Sequence, residues 1–407
     1  MSPDRKNQPP VLLLGGRENA LAIVRSLSKK GIIVNASDKS GAIVFRSRFC
    51  KEKYPIPDHI SHKDFWTNLL LGSQFEQLKG SVIFACSDDA IQFLAENRTS
   101  LEKDYILDDY NPEIHNALLD KQETLRLARS VGIATPNFWN IGSIQDVMAI
   151  ENEVVFPVIV KPIHSHLFQR KFNGKKFLRA ENFDELLAGA TEVLEKDLEF
   201  MVSELIPGPD SLLSSYYTYH DSNGKPLFHY TKKIIRRYPL NSGGACYHQS
   251  EWLPETAEQG KKFFQGINFK GNGNVEFKKD LRDGQYKIIE SNTRFTGGHP
   301  LLVRSGADIA YIIYKHLIGD PVPKLGSYKE LGYWYLLPDI AAYRELKAKK
   351  LITFSEWTKS LFRKQVFPFF AWNDPIPSLY EWKKVFEGKL KKISGFKSEL
   401  SRGSAAK

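Results

Sequence analysis

Two glutamates, an asparagine and an arginine fall within one stretch of the chain, GNGNVEFKKDLRDGQYKIIESNTRFTGGHP, residues 271–300. Two β-prone runs, Asn274 to Lys278 and Gln285 to Ile289, flank an Arg-Asp-Gly turn, and side chains along a strand alternate faces with a period of two. Glu290, Asn292 and Arg294 therefore share a face. The turn decides whether Glu276 joins them. A two-residue Asp283-Gly284 loop pairs position 276 with 291 and separates the glutamates. A three-residue loop, with Arg282-Asp283-Gly284 as a type I turn and Gly284 left-handed, sets Glu276 opposite Glu290. Carboxylates so placed repel unless a cation lies between them, and an oxygen-only set of Glu, Glu and Asn suits Mg2+, with Mn2+ as the alternative. Arg294 would then face phosphates. The same residues could also form an ordinary solvated hairpin.

V-E-F followed by I-E-x-N-x-R resembles the C-terminal metal motif of the ATP-grasp superfamily. The resemblance implies ATP bound between two α+β lobes and the joining of a carboxylate to a nucleophile. It also implies Glu276, Glu290 and Asn292 as Mg2+ ligands and Arg294 on the phosphate side. Other stretches are similar to the same family. D-K, a helix, then G-I-x-T-P (residues 120–136) resembles the entry to the nucleotide lobes, with Lys121 reaching ATP. FPVIVKPI (156–163) embeds Lys161 in an apolar strand, which is costly unless an anion meets it. The resemblance makes that anion an ATP phosphate. EFMVSELI (199–206), leading into Pro-Gly-Pro-Asp, resembles the hinge at adenine, with Glu204, Ile206 and Asp210 as nucleotide contacts. KKIIRRYPLNSGG (232–244) resembles the substrate-side strand and glycine loop of amide-forming members. Lys233 and Arg236 would there neutralise the transferred phosphate, Arg236 first because a planar guanidinium can grip an oxyanion in two places.

The lid departs from the pattern, with His164-Ser165-His166 and basic residues where relatives carry glycine or serine. Basic side chains would there replace the backbone cradle. The reaction implied is attack of a substrate carboxylate on the γ-phosphate of ATP, giving an acyl phosphate and ADP, followed by displacement of phosphate by an amine. The resemblance implies a carboxylate-amine, or carboxylate-thiol, ligase, similar to the ATP-grasp ligases of the cell-envelope or polysaccharide kind. Two other functions fit: a biotin-type carboxylase subunit, or a nucleotide-binding regulatory protein with a decayed site.

The elements that must position these groups start with VLLLGG (11–16), a helix-spaced run from Glu18 to Lys29 and a second apolar strand from Ile32 to Ala36. This is the opening of a Rossmann-like unit without the full dinucleotide fingerprint, so NAD is weakly indicated, and the family resemblance implies an acceptor-substrate site there instead. Ser81 to Cys86 reads as a third strand, with Ser87 capping the helix after it. Ser222-Asn223-Gly224 marks a hairpin, and Leu301 to Ile318 a closing helix. The expected architecture is α/β and α+β: a Rossmann-like lobe over 1–112, ATP-grasp lobes over 113–322 with a small lid lobe at about 150–205, and a basic helical extension over 323–407.

Cysteines 50, 86 and 246 have neither disulfide nor zinc spacing. The N-terminus has no apolar core, and no apolar run approaches the ~20 residues of a spanning helix, so a cytoplasmic protein is expected. Nucleic-acid signatures are missing, and the resemblance implies small-molecule carboxylate and amine substrates as partners. From Ala341 onward 15 Lys or Arg stand against 6 Asp or Glu, so the net charge of +10 belongs mostly to the tail. There LFRKQVFPFFAW (361–372), ahead of a lysine-rich stretch from Lys383 to Lys397, fits either peripheral contact with an anionic membrane or packing of Trp357, Phe362, Phe369 and Trp372 onto the core.

Overall fold

The computed structural model describes residues 8–163, 168, 171–173 and 175–387. Four parallel strands open the chain: β1 (Val11–Leu14), β2 (Val34–Lys39), β3 (Lys53–Ile56) and β4 (Val82–Ala85), in the order β3-β2-β1-β4. β1 is apolar throughout and fully buried, as a strand covered on both faces must be. The turn after it is glycine because its space is closed: Gly16 lies at φ 101°, and a Cβ there would sit 2.6 Å from that of Cys86. The helix Glu18–Lys29 buries its apolar face on this sheet. Ser87 caps the helix Asp88–Leu101, accepting from the Ala90 N–H at 3.3 Å.

A small antiparallel sheet follows, of β5 (Phe138–Ile141), β6 (Val158–Pro162), β7 (Leu178–Ala180) and β8 (Phe200–Glu204), in the order β5-β8-β6-β7. Asn182 caps its helix, Phe183–Glu195, through the Glu185 N–H at 2.9 Å. The helix Lys121–Ser130 leads into this sheet from a well-made N-cap, Asp120, whose Oδ1 accepts from Gln122 and Glu123 at 2.6 and 3.1 Å.

The central sheet has seven strands: β9 (Leu213–His220), β10 (Pro226–Tyr238), β11 (Gly244–Ser250), β12 (Gly271–Lys279), β13 (Tyr286–Asn292), β14 (Gly332–Trp334) and β15 (Gln365–Val366), in the order β13-β12-β9-β10-β11-β14-β15. The segment expected as a helical extension therefore also contributes two strands. The expected helix Leu301–Ile318 is two, His299–Ser305 and Ile309–Leu317, because Gly306 takes a left-handed φ of 109° and ends the first. His164-Ser165-His166 lies outside the described residues.

Candidate active site

The hairpin β12-β13 sets Glu276 directly opposite Glu290 and Asn274 opposite Asn292. It reaches this register by a different route from the expected three-residue loop. Asp280 pairs with Gln285 through a four-residue loop with Gly284 at φ 73°, which by itself would align 276 with 289. A bulge then inserts Ile289 between the pair Phe277–Ile288 and the pair Glu276–Glu290. The two glutamates and Asn292 line a cavity of about 700 Å³ between the small and central sheets.

Burial raises the Glu276 carboxyl, and the neighbouring Glu290 raises it further, while Lys232 and Arg237 pull it down. Ser215 Oγ donates to its Oε1 at 3.3 Å. Asn292 spends its amide N–H on Asn274 Oδ1 at 3.4 Å, leaving its carbonyl oxygen for a cation. Among the described residues no three His, Cys, Asp or Glu side chains group as metal ligands, so the candidate set is two carboxylates and one amide. That set fits Mg2+, which takes few protein oxygens and completes its shell with water and phosphate.

Lys121, Lys161 and Arg294 line the same cavity. Lys161 is held down to about 8, chiefly by burial and then by the charge of Lys121, with Glu290 partly compensating. Burial also lowers Lys121, whose Nζ donates to the Pro162 carbonyl at 3.2 Å. Two ammonium groups facing one cavity carry the charge that a bound polyanion would neutralise. Arg294 reaches across to the N-terminal lobe, its Nε donating to Asp88 Oδ1 at 2.5 Å. It stands where the first cavity meets a second of about 1080 Å³ over the Gly15-Gly16 turn, lined also by Glu18, Asp38 and His62.

The hinge residues divide. Glu204 and Ile206 line the cavity. Glu204 accepts from the Asn137 N–H at 3.1 Å and pairs with Arg282 at 2.5 Å. The Ile206 carbonyl accepts from Lys278 Nζ at 2.9 Å, as does that of Gly208. Asp210 is absent from the lining. It is buried, paired with Arg237 at 2.8 Å and accepting from the Asn241 N–H at 3.2 Å, so it holds an arginine in place of a ribose.

The two cations expected on β10 lie on the wrong face. Lys232 and Ile234 point into the cavity, and simple alternation would add Arg236. Against β11, however, Ile234 pairs with His248 and Arg236 with Tyr247, and the bulge at Ile235 turns Arg236 away. Arg236 is 3% exposed, forked onto Asp339 at 2.6 and 3.1 Å and bonded to Ser360 at 2.8 Å. Lys233, half-buried, is also outside the lining, and Arg237 replaces Arg236 at the cavity wall. Lys232 Nζ donates to His248 Nδ1 at 3.0 Å, and His248 directs its Nε2–H to the Ala245 carbonyl at 3.1 Å. Burial and Lys232 hold this imidazole well below its ordinary value, hence neutral. Lys278 was within reach of sequence reasoning, since it follows Glu276 by two on one strand face. Arg237 was not, because no residue type announces the bulge at Ile235, and Lys232 and His248 required knowing which face of β10 and β11 meets the cavity.

A family model described as the carbamoyl-phosphate synthase L chain, ATP binding domain, matches residues 249–325. The D-aspartate ligase of Enterococcus faecium is 22% identical over 257 residues, covering 58% of this chain and 59% of that protein. The D-alanine–D-alanine ligase of Pseudomonas entomophila is 27% identical over 185 residues, covering 43% and 54%. The chain thus spans little more than half the length of these curated relatives. In fold it is similar to the crystal structure of the biotin carboxylase–β,γ-ATP complex from Campylobacter jejuni, with a TM-score of 0.62 at 17% identity over 78% of this chain and 73% of that one. The family match is confined to residues 249–325, and the likeness to the solved structure is one of fold.

Proposed function

We propose that the chain is an ATP- and Mg2+-dependent ligase that activates a substrate carboxylate as an acyl phosphate and joins it to an amine, releasing ADP and phosphate. The observation that carries this reading is the facing pair Glu276–Glu290 in one cavity with Lys121, Lys161 and Arg294. Glu276, Glu290 and Asn292 would hold Mg2+ (or Mn2+), which when bound neutralises phosphate oxygens. Lys161 and Lys121 bind the polyphosphate of ATP, relieving their mutual repulsion. Lys278 fixes the hinge carbonyls against which adenine rests. Lys232, held by neutral His248, and Arg237, held by Asp210, stabilise charge on the transferring phosphoryl group, a task dominated by positioning and electrostatics. Arg294 stands between this chamber and the second, where the substrates to be joined would sit against the N-terminal turn.

In this reading residues 1–112 form a Rossmann-like lobe preceding the ATP-grasp lobes of 113–322, with the lid lobe at about 150–205 and 323–407 as an appended basic segment. The D-amino-acid ligases among the relatives support an amine acceptor. The likeness to a biotin carboxylase supports a second reading, activation of bicarbonate at the same ATP site. ADP release measured with amino-acid pairs and with bicarbonate separates the two. Amine-dependent release supports the ligase, bicarbonate-dependent release without amine supports the carboxylase, and no acceptor-dependent release refutes both.

A further inference from the structure

The C-terminal segment is fastened to the N-terminal lobe by a buried carboxylate. Asp374, 1% exposed, accepts from Arg25 Nε at 2.8 Å, Ser47 Oγ at 2.7 Å and the Arg48 N–H at 3.1 Å. A helix over 376–387 follows directly. Its inner arc is polar and aromatic. The Arg46 guanidinium lies 4.4 Å from the Tyr380 ring centroid, Lys384 Nζ donates to the Gly41 carbonyl at 3.1 Å, and Arg17 lies 3.6 Å from Glu381.

Its outer arc is apolar. At ~100° per residue, Ile376, Leu379, Trp382 and Phe386 share a stripe ~120° wide. They are 54, 62, 42 and 59% exposed. A helix docked on a globular lobe ordinarily does the reverse, burying that stripe and wetting the other. Just before the anchor, Phe370 and Trp372 pack edge to face at 4.8 Å while Trp372 stays 89% exposed. The expected packing of the tail is therefore half realised. Phe369 joins the core, and Trp357 stacks on Tyr343 at 4.9 Å, but Phe362 and Trp372 point outward.

We propose that this face docks on an anionic lipid surface, with Ile376, Leu379, Trp382 and Phe386 entering the interfacial zone. Charge selects this occupant. Lys383 lies on the outer arc, four further lysines follow in sequence over 389–397, and the segment from Ala341 carries a balance of +9. A second copy of this chain would bring like charge to like charge, whereas an anionic bilayer neutralises it. The stripe lies on the surface and does not span, since among the described residues no helix is long and apolar enough to cross a membrane.

Co-sedimentation of the full chain with vesicles tests this. Binding is expected to phosphatidylcholine vesicles containing phosphatidylglycerol, to weaken as salt rises, and to fall at least ~10-fold when Ile376, Leu379, Trp382 and Phe386 are all changed to Ser. ADP release and the melting temperature should stay at wild-type values, because these side chains touch neither the site nor the core. A second variant, Lys383→Glu, should weaken binding in low salt only. No binding, or equal binding to pure phosphatidylcholine, overturns the proposal. So does a dimer by light scattering that the four-serine variant dissolves, which would assign the stripe to a second copy.

Discussion

Arg236 and Arg237 are neighbours with opposite fates, and exchanging their expected roles is the sharpest consequence of the bulge in β10. The Arg236 guanidinium and Asp339 carboxylate are 4% and 0% exposed, and Asp339 also accepts from the indole N–H of Trp334 and of Trp357, each at 2.9 Å. Arg236→Met would leave that carboxylate buried without its cation, at a cost of about 3–5 kcal/mol. With an unfolding entropy of ~2.1 cal/mol/K per residue, the 407-residue chain melting as one unit would lose about 4–6 °C. Activity per folded molecule should survive. Arg237→Met should differ in its effect on activity. Its guanidinium lines the cavity wall, so its removal should lower kcat ~100-fold, the scale of one electrostatic catalytic group, and it should also lower the melting point because buried Asp210 loses its cation. Thermal unfolding by circular dichroism, run beside ADP release on both variants, measures the two effects. An Arg236→Met protein that melts normally but is inactive, beside an active Arg237→Met protein, would refute the assignment.

Glu290→Gln keeps the shape of the metal site and removes one charge, so Mg2+-dependent turnover should fall ~100-fold with folding intact; wild-type turnover in both Glu290→Gln and Glu276→Gln would remove the metal assignment. Lys161, at about 8, is partly deprotonated in the free protein near neutrality. Its folded value lies below its unfolded one, so protonation destabilises the apo fold, fully at pH below 8 and not at all above the ordinary lysine range. Nucleotide binding needs the charged form, so ADP affinity should fall as pH rises through about 8, with proton uptake visible by calorimetry in buffers of different ionisation enthalpy. Lys161→Arg should flatten that profile. Lys278→Met frees the Ile206 and Gly208 carbonyls and should raise KM for ATP about 10-fold with a smaller change in kcat.

The site was legible in the sequence where side-chain chemistry was out of place for its element. Lys161 in an apolar strand, and glutamates on a common face, could be read because burying charge without a partner is costly. The cap residues Ser87, Asp120 and Asn182 were legible because their hydrogen bonds are local. The register of Glu276 came out right from the wrong turn, since a four-residue loop and a bulge at Ile289 sum to the same offset as a three-residue loop. Arg236 came out wrong because its bulge depends on the partner strand β11, which alternation along β10 alone does not contain. Asp210 likewise pairs with an arginine 27 positions away in the chain. The strands β14 and β15 are short and carry no turn signal, so their addition to the sheet is set by tertiary packing.

The most direct test of the proposed chemistry is to follow oxygen-18 from a labelled substrate carboxylate under conditions of amine-dependent turnover. Phosphoryl transfer to the carboxylate predicts one labelled oxygen in the inorganic phosphate released, with ADP as the nucleotide product. Label in AMP, with pyrophosphate released, would contradict it.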